Sequence, residues 1–484
     1  MNPTDELALI GSGLKRRTEL ALADEFLRKA VAYTTDKLKS GKLKAMEDFG
    51  DWEAWREQGK AIRTHTVSNI DYYLNQFADN VSKAGGHVHF CTTGAEATQV
   101  FMRIAEAKNA KLVAKGKSMV SEEIHLNHHL EDAGIEAIET DLGEYILQLA
   151  KETPSHLIIP AIHKNKQQIA DLFTAESGEH FEPNTRILAD YAKKKLRNYF
   201  LEADIGLTGC NFAIAESGSI TLVSNEGNAR MVSTLPKTHV VIMGMERLVP
   251  SFADVEVMLN LLARSATGQK LTTYTSFITG PKQQGDLDGP EELHVIVLDN
   301  GRSSQLGDPI FQDVLNCIRC AACLNVCPVY RHVGGHAYGT VYSGPIGAVL
   351  SPLLQQDMKE AGQLAYASSL CGACYEACPV KIPLHDMLVH LRHRKVKMKM
   401  TPMLERIAFK SFELGFGSVT VYKIATKTAY YLQKPFVKNG NIQKGPGPLA
   451  GWTQSRFFPM KPKRSFRDKW EDLQKELKKG DKQP

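Results

Sequence analysis

The chain has 484 residues, 43% hydrophobic and 23% charged, with a formal net charge of only +5. Those are the proportions of an ordinary globular protein, long enough for about three domains with real cores. They exclude global disorder, a collagen-like fibre and an integral membrane bundle. Nine cysteines are unremarkable as a fraction, but seven of them fall between Cys317 and Cys378.

The chain opens Met1-Asn2-Pro3-Thr4-Asp5-Glu6, acidic and without an apolar core segment, so no secretory signal is readable. No run of about 18 apolar residues suggests a membrane span, and the expected location is cytoplasmic. In that reducing compartment clustered cysteines point to metal ligation rather than disulfides. Residues 1–65 read as a helical, mixed-charge segment. From 66 to 300, short β-branched runs (His87–Cys91, Lys111–Ala114, His156–Pro160, Ser219–Ser224, Val240–Met243, His294–Leu298) alternate with helix-period segments (Ala95–Ala107, Glu122–Ala133, Thr185–Leu201, Ala253–Ala263). That alternation predicts an α/β domain with a largely parallel sheet. Residues 301–400 hold the cysteine motifs, separated by a Gly-rich stretch. Residues 401–484 form a basic extension, with a Pro/Gly-rich linker at Lys434–Pro448 and a polar helix at Asp468–Lys479. From 381 onward there are 23 Lys and Arg against 8 Asp and Glu, a net of +15, so the body before it carries −10.

The first motif, Cys317-Ile-Arg-Cys320-Ala-Ala-Cys323-Leu-Asn-Val-Cys327-Pro328, has the spacing C-x2-C-x2-C-x3-C-P. The second, Cys371-Gly-Ala-Cys374-Tyr-Glu-Ala-Cys378-Pro379, repeats it with Ser368 where the first cysteine would stand. Two-residue gaps let successive thiolates curl around one iron–sulfur cube, and the cysteine before proline reaches the other cluster. The exchange assigns Cys317, Cys320, Cys323 and Cys378 to one cluster and Cys327, Cys371 and Cys374 to a second. The second has one corner without cysteine. It is a three-iron cluster, or a cube closed by Ser368, water, substrate or a partner group. Zinc, which takes two separated ligand pairs at one tetrahedral ion, fits this spacing poorly.

Other residues invite weaker readings. The turn Asn225-Glu226-Gly227-Asn228 follows a strand, where α/β sheets bind ligands, and Glu226 is a candidate base or covalent carboxylate. Its bland alternative is a Gly/Asn turn. Gly116-Lys117-Ser118 lacks the earlier glycine of a phosphate loop, since residue 111 is Lys, although an anion at the following helix remains open. No dinucleotide-binding glycine pattern is present, so neither NAD nor flavin is expected. His125, His128 and His129 read as a solvated helix face. Cys91 and Cys210 read as buried, inert thiols. The basic extension, with Phe409, Phe412, Phe416, Tyr422, Tyr430 and Tyr431, suits docking to a partner or peripheral contact with an anionic membrane. No nucleic-acid motif accompanies the charge.

The paired motifs, with Asn211-Phe-Ala-Ile-Ala-Glu-Ser-Gly218, Thr221-Leu-Val-Ser-Asn-Glu-Gly-Asn228 and Lys115-Gly-Lys-Ser-Met-Val-Ser-Glu-Glu123, resemble the lactate utilisation protein B family over nearly the whole chain. The resemblance implies a lactate-utilisation (LUD) domain with a CoA-transferase-like fold, followed by an α-helical ferredoxin-type domain with two [4Fe–4S] clusters. It implies an electron-transferring role in oxidising L-lactate to pyruvate. It also implies two partners, a subunit with cysteine-rich repeats and a subunit that is a lone LUD domain. Two other readings compete. In one the LUD domain itself binds and oxidises a 2-hydroxy acid; in the other the clusters sense redox or iron state.

Overall fold

The computed structural model describes residues 13–355, 358–447 and 449–480. The acidic start of the chain lies outside them. Contacts divide the chain into two compact units, Met1–Met398 and Lys399–Pro484.

Among the described residues the first unit begins with four helices, Leu14–Ala23, Glu25–Glu47, Trp52–Ser68 and Ile70–Lys83. Asp24 and Asp51 cap the second and third by accepting from the amides of Leu27 and Ala54. The helix Glu25–Glu47 buries Leu27, Val31, Thr35, Leu38, Lys42 and Ala45. That is one stripe at helical spacing, with a lysine inside it.

Ten strands follow: β1 (His87–Cys91), β2 (Leu112–Lys115), β3 (Glu136–Glu139), β4 (Ile205–Thr208), β5 (Phe212–Ile214), β6 (Ser219–Ser224), β7 (Thr238–Gly244), β8 (Leu248–Val249), β9 (Tyr274–Ile278) and β10 (Glu292–Leu298). Six of them form one sheet in the order β1-β10-β7-β4-β2-β3, and every pairing in it is parallel. The α/β class expected from alternation is therefore present. All six strands end at one edge, where the connecting loops can build a site.

Three local expectations are corrected. Ser219–Ser224 is a strand, but it belongs to a second sheet, β8-β5-β6-β9, in which it pairs antiparallel with both neighbours. His156–Pro160 is apolar enough for a strand but forms turns. The His156 ring accepts from the amides of Ile158 and Ile159, and Ser155 closes onto the Pro160 carbonyl. Glu122–Ala133 is two short helices, Met119–Glu123 and Leu126–Asp132, broken at His125 with φ 52°.

Among its described residues the cysteine-bearing segment contains no strand. Its helices are Ala322–Val326, Tyr330–Val333, Gly344–Leu354, Ala373–Ala377 and Leu384–Lys397. It is not a separate globule. One hydrophobic core takes Val31 and Trp52 from the first helices, Phe212 and Val249 from the second sheet, and Leu324, Val349 and Leu388 from the cysteine segment. Gly335 marks the tightest approach, since a Cβ there would lie 1.9 Å from the Ser155 carbonyl oxygen.

In the second unit, Met403–Gly417 and Val419–Leu432 are helices without a buried residue. The stretch read as a linker holds a small hairpin, Val437–Lys438 with Asn441–Ile442. Asn439 and Gly440 turn it with φ 51° and 77°, as a two-residue hairpin loop requires. The terminal helix runs Phe466–Gly480.

Arg63, 1% exposed on the helix Trp52–Ser68, is the main polar tie of the first unit. Its guanidinium donates to the carbonyls of Glu246, Leu248, Leu315 and Asn316. One side chain thus joins the strand-edge loop before β8 to the approach to the first cysteine motif. Arg63→Ala leaves four buried carbonyls unanswered and is expected to destabilise the protein by roughly 3 kcal/mol or more. Denaturant titration of the anaerobically purified protein measures this.

Candidate metal centre

The first cysteine motif leaves the short helix Gln312–Asn316 and coils tightly, with Arg319 and Ala321 at φ 60° and 62°. Cys323 then enters the helix Ala322–Val326, and Cys374 lies in the matching helix Ala373–Ala377. These two helices pack on each other. The thiols fall into two groups. Cys317, Cys320, Cys323 and Cys378 line a common pocket walled by Leu157, Ile318, Ile346, Val380, Ile382 and Leu384. Cys327, Cys371 and Cys374 are mutual neighbours, and Cys323 adjoins Cys374 to link the groups. The cysteine before each proline has therefore crossed to the other motif's group.

The donor set suits iron–sulfur clusters. Among the described residues no three His, Cys, Asp or Glu gather tightly enough to hold a single ion. The thiols ring a space, as a cube with one ligand per corner needs. Amide hydrogens of Arg319, Tyr330 and Ile382 point at the sulfurs of Cys317, Cys327 and Cys378 at 3.4, 3.5 and 3.4 Å. The Tyr338 hydroxyl, buried and without an oxygen or nitrogen partner, lies beside the Cys327 sulfur. Such contacts to thiolate and sulfide tune cluster potentials. Burial, with Cys378 beside it, pushes the Cys320 thiol up to about 12, and burial with Cys327 beside it does the same at Cys374. Burial thus favours the neutral thiol, and a coordinated metal ion favours the thiolate. Ser368 is half-buried, and its Oγ accepts from the Leu370 amide. Cys371 is the exposed member of the seven.

Positive charge surrounds the thiols. Lys42 donates to the Ala377 carbonyl, and Arg56 donates to those of Cys378 and Tyr375. Burial lowers the Lys42 pKa, while the neighbouring Cys320 and Cys378 favour its charge. Arg319 pairs with Glu246 at 3.2 Å, and Glu246 also holds Arg302 at 2.6 Å. Burial opposes ionisation of Glu246, yet Arg302, Arg319 and Arg247 hold it down to about 2. Sequence reading missed all these cations. The available signals were a lysine inside an apolar helical stripe and an arginine between two ligands.

A cavity of about 250 Å³ lies beside the first thiol group at the end of the parallel sheet. It gathers residues that the sequence offered separately. Gly116, Lys117 and Ser118 come from the loop after β2, Asp141 from that after β3, Arg247 from that after β7, and Asn225, Glu226 and Asn228 from the turn after β6. Arg319, between Cys317 and Cys320, lines this cavity and the thiol pocket alike. Glu226 accepts from the Leu142 amide at 3.2 Å, and burial with Asp141 nearby raises its pKa. Cys210 is not fully buried; it faces the cavity, and burial raises its thiol to about 12. Cys91 is buried away from the thiol groups. His125, His128 and His129 are exposed, as expected of a solvated face. No helix among the described residues is long and apolar enough to cross a membrane.

Comparison with known proteins agrees with this layout. The LUD domain family matches residues 74–298, the 4Fe-4S dicluster domain 313–382, and the C-terminal domain of lactate utilisation protein B 391–475. Lactate utilization protein B of Shouchella clausii is 54% identical over 95% of this chain and 97% of its own. That of Lysinibacillus sphaericus is 56% identical over 93% and 95%, and that of Bacillus subtilis 53% over 95% and 96%. A crystal structure of a DUF162 family protein from Deinococcus radiodurans aligns with 47% of this chain and 98% of its own, at 17% identity and a TM-score of 0.28. With more than half of its residues shared along nearly its whole length, and with a 4Fe-4S dicluster domain seated on a LUD domain, the chain belongs to the lactate utilisation protein B family.

Proposed function

We propose that the protein is the iron–sulfur electron-transfer subunit of a complex that oxidises L-lactate to pyruvate. Cys317, Cys320, Cys323 and Cys378 would hold one [4Fe–4S] cluster, and Cys327, Cys371 and Cys374 three corners of a second. Clusters of this kind pass one electron at a time. The observation that carries the reading is the arrangement of the thiols. The first group is enclosed beside the sheet-edge cavity, the second adjoins it through Cys323 and Cys374, and the second reaches solvent at Cys371. An inner and an outer site in contact suit a relay between a buried donor side and a docked acceptor.

The chain's own residues set the conditions for that relay. Lys42, Arg56 and Arg319 neutralise the thiolates and fix the loops that carry them. Leu157, Ile346 and Leu384 exclude water from the first group. The Tyr338 hydroxyl serves the second group at Cys327. The names of the relatives support lactate as the metabolic setting. The partners we propose are a subunit with cysteine-rich repeats and a lone LUD-domain subunit. The helices Met403–Gly417 and Val419–Leu432 offer a docking surface, with Phe409, Phe412 and Phe416 exposed among lysines and arginines.

Anaerobically purified protein is expected to contain about eight iron and eight sulfide per chain, falling by about half in Cys320→Ser. Metal analysis with EPR checks this, and zinc in place of iron overturns the proposal. Tyr338→Phe is expected to keep the iron and lower the potential of the second cluster by roughly 20–60 mV, the one-electron equivalent of one hydrogen bond. Redox titration followed by EPR reads that shift. Removing 399–484 is expected to leave the iron content unchanged while lowering co-purification with partner subunits by about tenfold or more. Unchanged co-purification counts against docking through the extension.

A further inference from the structure

The sheet-edge cavity holds positive charge that the protein answers only in part. Arg247 is 7% exposed and its Nε has no hydrogen-bond partner; Glu246 acts on it from nearby, but among the described residues no carboxylate forms an ion pair with it. Arg319, 8% exposed, reaches Glu246 with Nη2 and lies beside the Cys317 sulfur and over the Tyr342 ring, while its Nε and Nη1 have no hydrogen-bond partner. Glu123 and Glu246 are already engaged by Arg302. Two like charges buried side by side repel each other, and burying an unpaired cation is costly. Both side chains line the same cavity.

We propose that this cavity is a binding site for a small 2-hydroxy monocarboxylate, its carboxylate held between Arg247 and Arg319. Planar guanidinium forks match the two oxygens of a carboxylate. Asp141 and Glu226 wall the same cavity, so they disfavour a second negative charge on the ligand. Glu226 can also accept a hydrogen bond from a neighbouring hydroxyl. The volume suits a molecule of a few heavy atoms, below the usual range for drug-sized ligands. Because Arg319 stands between Cys317 and Cys320 and faces both the cavity and the thiol pocket, an anion bound here also changes the electrostatic surroundings of the first thiol group. The inference deepens the relay reading and takes only its choice of probe from it.

The test is equilibrium dialysis of the iron-loaded protein, alone and without an electron acceptor, against L-lactate, acetate and inorganic phosphate. L-Lactate is expected to bind one to one and more tightly than acetate or phosphate. Arg247→Lys keeps the charge but loses the fork, and is expected to weaken L-lactate binding by about tenfold or more with iron content unchanged. Arg247→Gln serves as a second variant, expected to lose binding further. L-Lactate is also expected to shift the potential of the cluster held near Arg319 in the parent protein, and not in Arg247→Gln. No L-lactate binding up to about 10 mM, above the usual range for metabolite sites, overturns the site. So do Arg247→Lys and Arg247→Gln proteins that bind like the parent. Phosphate or acetate binding as tightly as L-lactate overturns the ligand class. If Arg247 serves only to neutralise cluster charge, its variants shift the potential while L-lactate does not bind, and the proposal falls. Failure of the relay reading is distinct: it appears as absent iron or absent electron transfer with binding intact.

Discussion

Thiolates set against an apolar interior must be answered by positive charge, and much of the first unit is arranged around that requirement. An isolated buried ion is too expensive to keep. The solution here is to bring basic side chains in from several neighbouring elements: Lys42 and Arg56 from the leading helices, Arg63 bridging helix and sheet edge, Arg319 from within the first motif. Each also donates to backbone or carboxylate acceptors, so the same contacts that balance charge fix the loops. This explains why the leading helices, the sheet edge and the cysteine segment share one core.

Sequence reading reaches furthest where the signal is local. The cysteine spacings depend on loop geometry alone, and the structure gathers the thiols into two neighbouring groups. The parallel sheet was legible because β1, β2, β7 and β10 are short apolar runs between helical segments. Ile205–Thr208 was missed because four residues containing a glycine carry little pattern, and Glu136–Glu139 because acidic residues stand at both ends. His156–Pro160 misled because β-branched apolar residues also suit a buried turn; the His156 ring and two flanking prolines decide the matter, and only tertiary packing makes that visible. Ser219–Ser224 was seen as a strand, but which sheet a strand joins is a non-local choice.

The site illustrates the same limit. Glu226 and Gly116-Lys117-Ser118 each looked like a weak motif with a bland explanation. Topology places both on one cavity, together with Arg319, whose one signal was its place between two cysteines, and Arg247, which carried none because arginine is ordinarily a surface residue. A residue's meaning changed with its neighbours, and those neighbours lie tens to hundreds of positions away along the chain.

The common core has a thermodynamic corollary. Anything that binds the native state alone shifts the folding equilibrium in its favour by mass action, and metal coordination is bound to folding in that way. Since Leu324, Val349 and Leu388 of the cysteine segment pack in the same cluster as Phe212 and Val249 of the second sheet, iron delivered to the thiols stabilises the α/β portion as well. Emptying the thiol groups then withdraws that contribution from the second sheet as well as from the cysteine segment.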